Sequence, residues 1–223
     1  MTRNEFEWFA MYEALNALWA HGGNPRQPHA VLASGNHSNG FFNSRLVIPH
    51  EALLRDAASD LLELFTKQDG NILVVQAVVG PQTGATKLAE FMSDKISEAD
   101  HNLCFWASPA KHESDGKKSM VFTEKDSRLL PGQTVLFCED VLTTGGSVEL
   151  AEDAVLENGG IVLPYILVLV NRSGLTEVNG KKIIALINRD FPKWTPEECP
   201  LCKEGSEAIP PKGDNWELLK LTY

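Results

Sequence analysis

The spacing of apolar positions changes near Pro49. Before it, residues 4–20 (NEFEWFAMYEALNALWA) set Phe6, Phe9, Ala10, Leu15 and Leu18 mostly three or four apart, which predicts an amphipathic helix ending near Gly22 and Gly23. A loop with Pro25 and Pro28 follows. Residues 31–48 (VLASGNHSNGFFNSRLVI) then place two short apolar arms around a Gly/Ser/Asn-rich middle, predicting a hairpin or edge ribbon outside the main sheet. After Pro49 helix and strand alternate. The pattern predicts a helix at 50–67, the strand NILVVQAV, a helix at 83–97, the strand LCFWAS, a polar loop at 109–118 and the strand SMVFTE. QTVLFCED, a helix at 146–158, IVLPYILVLV and KIIALI complete it. Unbroken apolar strands between helices predict an α/β fold with a doubly wound, mainly parallel sheet covered on both faces. The expected organisation is an amino-terminal helix and hood (1–48), a core (49–190) and a loop-rich, proline-bearing tail (191–223) packed on the core.

Length and composition narrow the function. The 223 residues are 43% hydrophobic and 22% charged, which suits a globular chain with a sizeable core. A net charge of −10 gives no overall attraction to nucleic acid or an anionic membrane, so a phosphate ligand needs local donors. The start, MTRNEFEWFAMYEAL, lacks the basic and continuous apolar regions of a secretory signal. The longest apolar run, IVLPYILVLV, is about half of the roughly 20 residues a membrane span requires. Cys104 and Cys138 lie in apolar runs, where reduced thiols are common, and a cytoplasmic location is expected.

One stretch carries chemistry. In residues 135–147, VLFCEDVLTTGGS, an apolar strand ends in Glu139 and Asp140 and breaks into a hydroxyl-rich glycine turn that opens a helix. Ligands of doubly wound sheets sit beyond the carboxyl ends of the strands. Gly145 and Gly146 allow close backbone approach, and the amides of the turn and helix N-terminus favour an anion, with Thr143, Thr144 and Ser147 adding hydroxyls. Acceptors for sugar hydroxyls thus stand next to donors for a phosphate, matching what a ribose 5-phosphate presents.

These thirteen residues resemble the 5-phosphoribosyl-1-pyrophosphate (PRPP) signature of type I phosphoribosyltransferases. The resemblance implies that Glu139 and Asp140 hold the ribose hydroxyls and stabilise positive charge at the anomeric carbon, while Thr143, Thr144, Gly145, Gly146 and Ser147 hold the 5-phosphate. Residues 78–92, VVGPQTGATKLAEFM, resemble the family's pyrophosphate loop, which implies that Gly80, Pro81, Gln82, Thr83 and Gly84 cradle pyrophosphate. Residues 32–47, LASGNHSNGFFNSRLV, resemble the base-binding ribbon of orotate phosphoribosyltransferases, implying base contacts from Ser34, Gly35, Phe41 and Phe42. The tail ECPLCKEGSEAIPPKG resembles the end of one bacterial subgroup of those enzymes. Cys199 and Cys202 have zinc-knuckle spacing, but a closed site needs four ligands and no second Cys pair follows, so a structural turn and no protein-held metal are expected.

The resemblance runs from about residue 10 to 213 and implies transfer from PRPP to a nucleobase, orotate first, releasing pyrophosphate, with Mg2+ held mainly through PRPP. A homodimer is implied too, and Trp8 and Trp19 on the first helix are expected to offer surface for it. Three departures stand out. Ala33 replaces the usual Lys before Ser-Gly, Glu149 stands where many orotate enzymes carry an Arg, and the lid looks short. Matching the lid's start to FTEK makes Lys125 the catalytic lysine, followed by Arg128; the alternative assigns Lys111, His112, Lys117 and Lys118 to the lid. These departures keep two alternatives open: transfer to a purine or other heterocycle, and a PRPP-binding regulator without turnover.

Overall fold

The computed structural model describes residues 2–100 and 103–221, and these cluster into two units: the described residues up to Phe9 with those of Ser44–Arg189, and Ala10–Asn43 with the described residues from Asp190 onward. The larger unit is built on a six-stranded sheet. Its strands run in the order Glu177–Val178, Lys181–Asn188, Ile161–Asn171, Thr134–Leu142, Ala77–Val79 and Phe105–Ala107, parallel throughout except for the first pair. The central strand Thr134–Leu142 is apolar on both faces. Val135 and Phe137 join a buried cluster with Val148, Ala151 and Val155 of the helix Gly146–Glu157. Leu136 and Cys138 are also fully buried, and the Cys138 thiol approaches the Ala85 carbonyl before the helix Thr86–Asp100. Burial on both sides explains why these strands read as continuous apolar runs. The doubly wound α/β expectation holds.

Local chemistry moves several expected boundaries. The segment 71–78 holds a 3-10 turn, Ile72–Val74, capped where the Asn71 Oδ1 accepts from the Leu73 amide, and only Ala77–Val79 is strand. Residues 109–118 are a hairpin rather than a loop: Ala110–Ser114 pairs antiparallel with Lys117–Val121. Asp115 and Gly116 both have positive φ (52° and 75°), as a two-residue turn of the right twist requires.

The first helix, Glu5–Ala14, stops well before Gly22. Asn16 takes φ 52°, its amide bonds the Glu13 carbonyl, and the Ala17 amide bonds that of Tyr12, a Schellman ending with Asn in the left-handed position. Leu18–Ala20 then pairs with Gly40–Phe42. A four-stranded sheet orders Lys193–Trp194, His37–Ser38, His29–Val31 and Ala208–Ile209. The described residues of 191–223, expected as a loop-rich tail packed on the core, therefore cluster with 10–43.

Both tryptophans expected at the surface are buried. Trp8 donates its indole N–H to buried Asp60, and Trp19 donates to the Leu219 carbonyl, so neither supplies exposed apolar area. Among the described residues no helix is long and apolar enough to cross a membrane.

Candidate active site

Glu139 and Asp140 lie near the carboxyl end of the strand Thr134–Leu142 and line an open cleft of ≈ 570 Å³. Glu139 is buried, and its Oε1 accepts from the Asp140 amide at 3.1 Å. Burial, reinforced by the neighbouring Asp140, pushes the Glu139 carboxyl well above the usual carboxylate range, against a smaller opposing pull from Lys111. Burial also pushes the Cys138 thiol well up, so the cysteine inside the motif packs the core and is no nucleophile.

The turn after the acids wraps a second hollow of ≈ 40 Å³ lined by Glu139 and residues 141–148. Thr143 and Thr144 are exposed, and Gly145 caps the helix Gly146–Glu157 at φ 88°. A Cβ on Gly145 would stand 2.7 Å from Val178 Cγ1, so conformation and space both demand glycine. The hollow thus combines turn amides, hydroxyls and the N-terminal end of a helix, which is the chemistry of an anion subsite. Glu149 is exposed and lines neither the hollow nor the cleft.

The loop 80–84 forms the facing wall of the cleft through Pro81, Gln82, Thr83 and Gly84. Several bonds fix it. The Ser108 hydroxyl donates to the Gly80 carbonyl at 2.7 Å, and the Gln82 amide and side chain donate to the Pro109 and Ser108 carbonyls at 3.0 Å each. Gly84 touches the acid pair directly. A Cβ there would lie 2.5 Å from Asp140 Cγ and 2.6 Å from each carboxylate oxygen, so only glycine lets this loop close against the acid.

Two cations complete the lining, Arg45 and Lys111. Arg45, in the short 3-10 turn Ser44–Leu46, escaped the sequence reading although it directly follows the ribbon motif. Lys125 is not brought to the acids. It lies exposed on the helix Glu124–Leu129, whose N-cap Thr123 accepts from the Asp126 amide, and it lines a different cavity with Thr86, Ser93 and Trp106. The physical reason is the hairpin: residues 110–121 pair with each other, so Lys111 reaches the cleft while FTEK starts a helix. His112, Lys117 and Lys118 are exposed on that hairpin and do not line the cleft.

The ribbon residues belong to the smaller unit. Ser34 and Gly35 are exposed in a turn closed by the Gly35 amide donating to the Leu32 carbonyl. Phe42 is buried between Tyr12 and Phe191, with ring centroids 5.6 and 5.7 Å away, so its faces are used in packing. Phe41 is half-buried, with an edge contact to Trp216, and keeps accessible ring surface.

Comparison with known proteins agrees with this geometry. Residues 48–198 match the phosphoribosyl transferase domain family. The orotate phosphoribosyltransferase of Heliobacterium modesticaldum is 33% identical over 183 residues, 82% of this chain and 88% of the relative. That of a Sulfurovum species is 31% identical over 217 residues, 90% of this chain and 96% of the relative. The crystal structure of orotate phosphoribosyltransferase from Aeropyrum pernix shares the fold, with a TM-score of 0.61 at 21% identity over 80% of this chain and 92% of that one. An acid pair at a strand end, a hydroxyl-rich glycine turn at a helix start and a domain match over most of the chain converge: this chain belongs to the phosphoribosyl transferase family.

Proposed function

We propose that this chain transfers the phosphoribosyl group of PRPP to a ring nitrogen of orotate, giving orotidine 5-phosphate and pyrophosphate. The observation that carries the reading is the convergence of Glu139, Asp140, the loop 81–84 and Lys111 on one cleft, continued by the glycine turn. The curated relatives named above, all orotate phosphoribosyltransferases, support the choice of base.

In this mechanism the Asp140 carboxylate accepts a hydrogen bond from one ribose hydroxyl, and the Glu139 carboxyl hydrogen-bonds the neighbouring one, the pair engaging the 2- and 3-hydroxyls. The bond from the anomeric carbon to pyrophosphate breaks, its electron pair leaving with the pyrophosphate. The deprotonated orotate nitrogen supplies the pair for the new C–N bond. Positive charge on the sugar ring between these events is stabilised by the preorganised carboxylate charge beside it. Thr143 to Ser147 anchor the 5-phosphate, and the backbone amides of Thr83 and Gly84 with Lys111 and Arg45 receive the pyrophosphate. Besides the cations Arg45 and Lys111, the polar side chains lining the cleft are carboxylate, hydroxyl and amide groups with no thiol or imidazole, a hard donor set that suits Mg2+ entering with PRPP. The chemistry such an ion supplies is charge neutralisation on the departing group. Phe41, Ser34 and Gly35 are the proposed contacts of the base.

Two features behind the alternatives lose force. Lys111 in the cleft supplies a cation that the shortened FTEK segment lacks, which favours turnover over a silent regulator. Glu149 lies outside the cleft lining, so it does not argue against an anionic base. The proposal extends to the bacterial subgroup with a Cys-Pro-Leu-Cys tail, to a cytoplasmic homodimer, the commonest closed arrangement, and to sedimentation as a dimer at micromolar concentration. The test of function is a panel of orotate, uracil, adenine, guanine and hypoxanthine with PRPP and Mg2+, read by pyrophosphate release. Release with orotate alone is expected. Release with a purine and not with orotate would replace the acceptor, and release with none would overturn the transferase reading.

A further inference from the structure

Beyond the acid pair and its cleft, the smaller unit gathers four groups of ligand type: His29, His37, Cys199 and Cys202, whose ligand atoms all lie within 4.8 Å of one another. His29 and His37 sit on adjacent antiparallel strands. Cys199 caps and Cys202 lies within the short helix Pro200–Lys203, ahead of the strand Ala208–Ile209 that pairs with His29–Val31. All four lie outside the family match at residues 48–198, His29 and His37 before it and Cys199 and Cys202 after it.

Four of the six ligand-atom separations come close to those of a tetrahedral centre. With metal–nitrogen and metal–sulfur bonds of about 2.05 and about 2.3 Å, tetrahedral geometry separates two nitrogens by about 3.3 Å and a nitrogen and sulfur by about 3.6 Å. His29 Nε2 lies 3.0 Å from His37 Nδ1, 3.5 Å from Cys199 Sγ and 3.4 Å from Cys202 Sγ, and Cys202 Sγ lies 3.3 Å from His37 Nδ1.

An independent observation fixes which atom of His29 faces the cluster. The Ser206 hydroxyl donates its one proton to the Gln27 carbonyl at 2.6 Å. Its oxygen must therefore accept from His29 Nδ1–H, 2.9 Å away, which leaves Nε2 unprotonated and aimed at the two sulfurs and His37. A ring nitrogen held by a hydrogen bond while the other faces a cation is how ligating histidines are oriented. Hydrogen bonding alone fits poorly, because the one Nε2 lone pair has three polar neighbours within 3.5 Å.

We infer that His29, His37, Cys199 and Cys202 bind a structural zinc ion that fastens the carboxyl-terminal segment to the amino-terminal ribbon. Two imidazoles with two thiolates form a closed four-ligand set, and His29 and Cys199 are fully buried with no position left for substrate. Two thiolates balance the charge of the ion, and zinc binding displaces their protons to solvent. The unit has reason to need such a fastening. Its two chain segments are far apart in sequence, and its strands are only two or three residues long.

The test uses the full chain, reduced and purified without chelator, with metal content measured by plasma mass spectrometry. One zinc per chain is expected, and after its removal one equivalent of Co2+ should give the visible bands of a tetrahedral, thiolate-ligated ion. Cys199→Ser/Cys202→Ser should lose the zinc while Cys104→Ala keeps it. Since the double variant risks misfolding, Ser206→Ala serves as a milder probe: its zinc affinity, read by competition with a chromophoric chelator, should fall about 10- to 100-fold. Zinc below a tenth of an equivalent with no tetrahedral Co2+ spectrum would overturn the inference. A Cys199–Cys202 disulfide in the freshly purified chain, or unchanged zinc affinity in Ser206→Ala, would count against it equally. None of these readouts depends on transferase activity.

Discussion

Replacing Gly84 by Ala probes the contact between the loop 80–84 and the acid pair. The new Cβ would stand 2.5 Å from Asp140 Cγ and 2.6 Å from both of its oxygens. Ordinary contact between such atoms is about 3.5 Å, so the carboxylate must move by about 1 Å. Asp140 borders the open cleft, so the side chain has room to swing away. Gly84 does not use a left-handed backbone, so Ala is conformationally allowed and the fold should keep its melting temperature within a few degrees. A misplacement of about 1 Å at a reacting centre costs on the order of a hundredfold in rate, about 2.7 kcal/mol of barrier. The assay is kcat for pyrophosphate release at saturating PRPP and orotate, paired with thermal melting. If the loss acts through Asp140, then Gly84→Ala in an Asp140→Ala background should cost less than about twofold, because the displaced group is already gone. Equal losses in both backgrounds, or a Gly84→Ala enzyme of full rate, would refute the reasoning.

Other predictions follow from the same geometry. Lys111→Ala should lower kcat by about a hundredfold, as removal of one preorganised charge at a reacting centre does, whereas Lys125→Ala should stay within about twofold; steady-state kinetics of both decides between the two lysines. Glu139 holds its proton to higher pH than the unfolded chain, so unfolding releases a proton and stability falls as pH rises above the ordinary value of 4.5. Glu139→Gln should therefore melt higher than the parent by a margin that grows with pH from there, at most about 1.4 kcal/mol per unit, while losing activity; a margin independent of pH would contradict this. Glu149→Gln should leave the KM for orotate nearly unchanged, and a tenfold improvement would mean that this carboxylate faces the base.

The sequence was most informative where the chemistry is contiguous. Glu139, Asp140 and the turn to Ser147 occupy one strand end and one helix start, so strand pattern and motif identify them together. Lys111 was harder because Ala110–Ser114 and Lys117–Val121 are largely exposed on both faces and show no apolar alternation; only Asp115-Gly116 marks the turn. Trp8 and Trp19 look like surface only until the residues that receive their N–H groups, Asp60 and Leu219, are known. The four-ligand cluster was hidden for the same reason. Counting ligands beside Cys199 and Cys202 gives two, and the histidines come from a strand pair about 170 residues away in sequence, a separation no local pattern spans.

The central claim is that the acid pair drives transfer to orotate. The most direct measurement is the rate of orotidine 5-phosphate formation from PRPP and orotate with Mg2+, identified by mass, for the parent chain and for Asp140→Asn. The account predicts product from the parent and a rate lower by roughly a hundredfold or more in Asp140→Asn, with melting temperatures that agree. Equal rates in the two proteins, or no orotidine 5-phosphate from the parent, would contradict it.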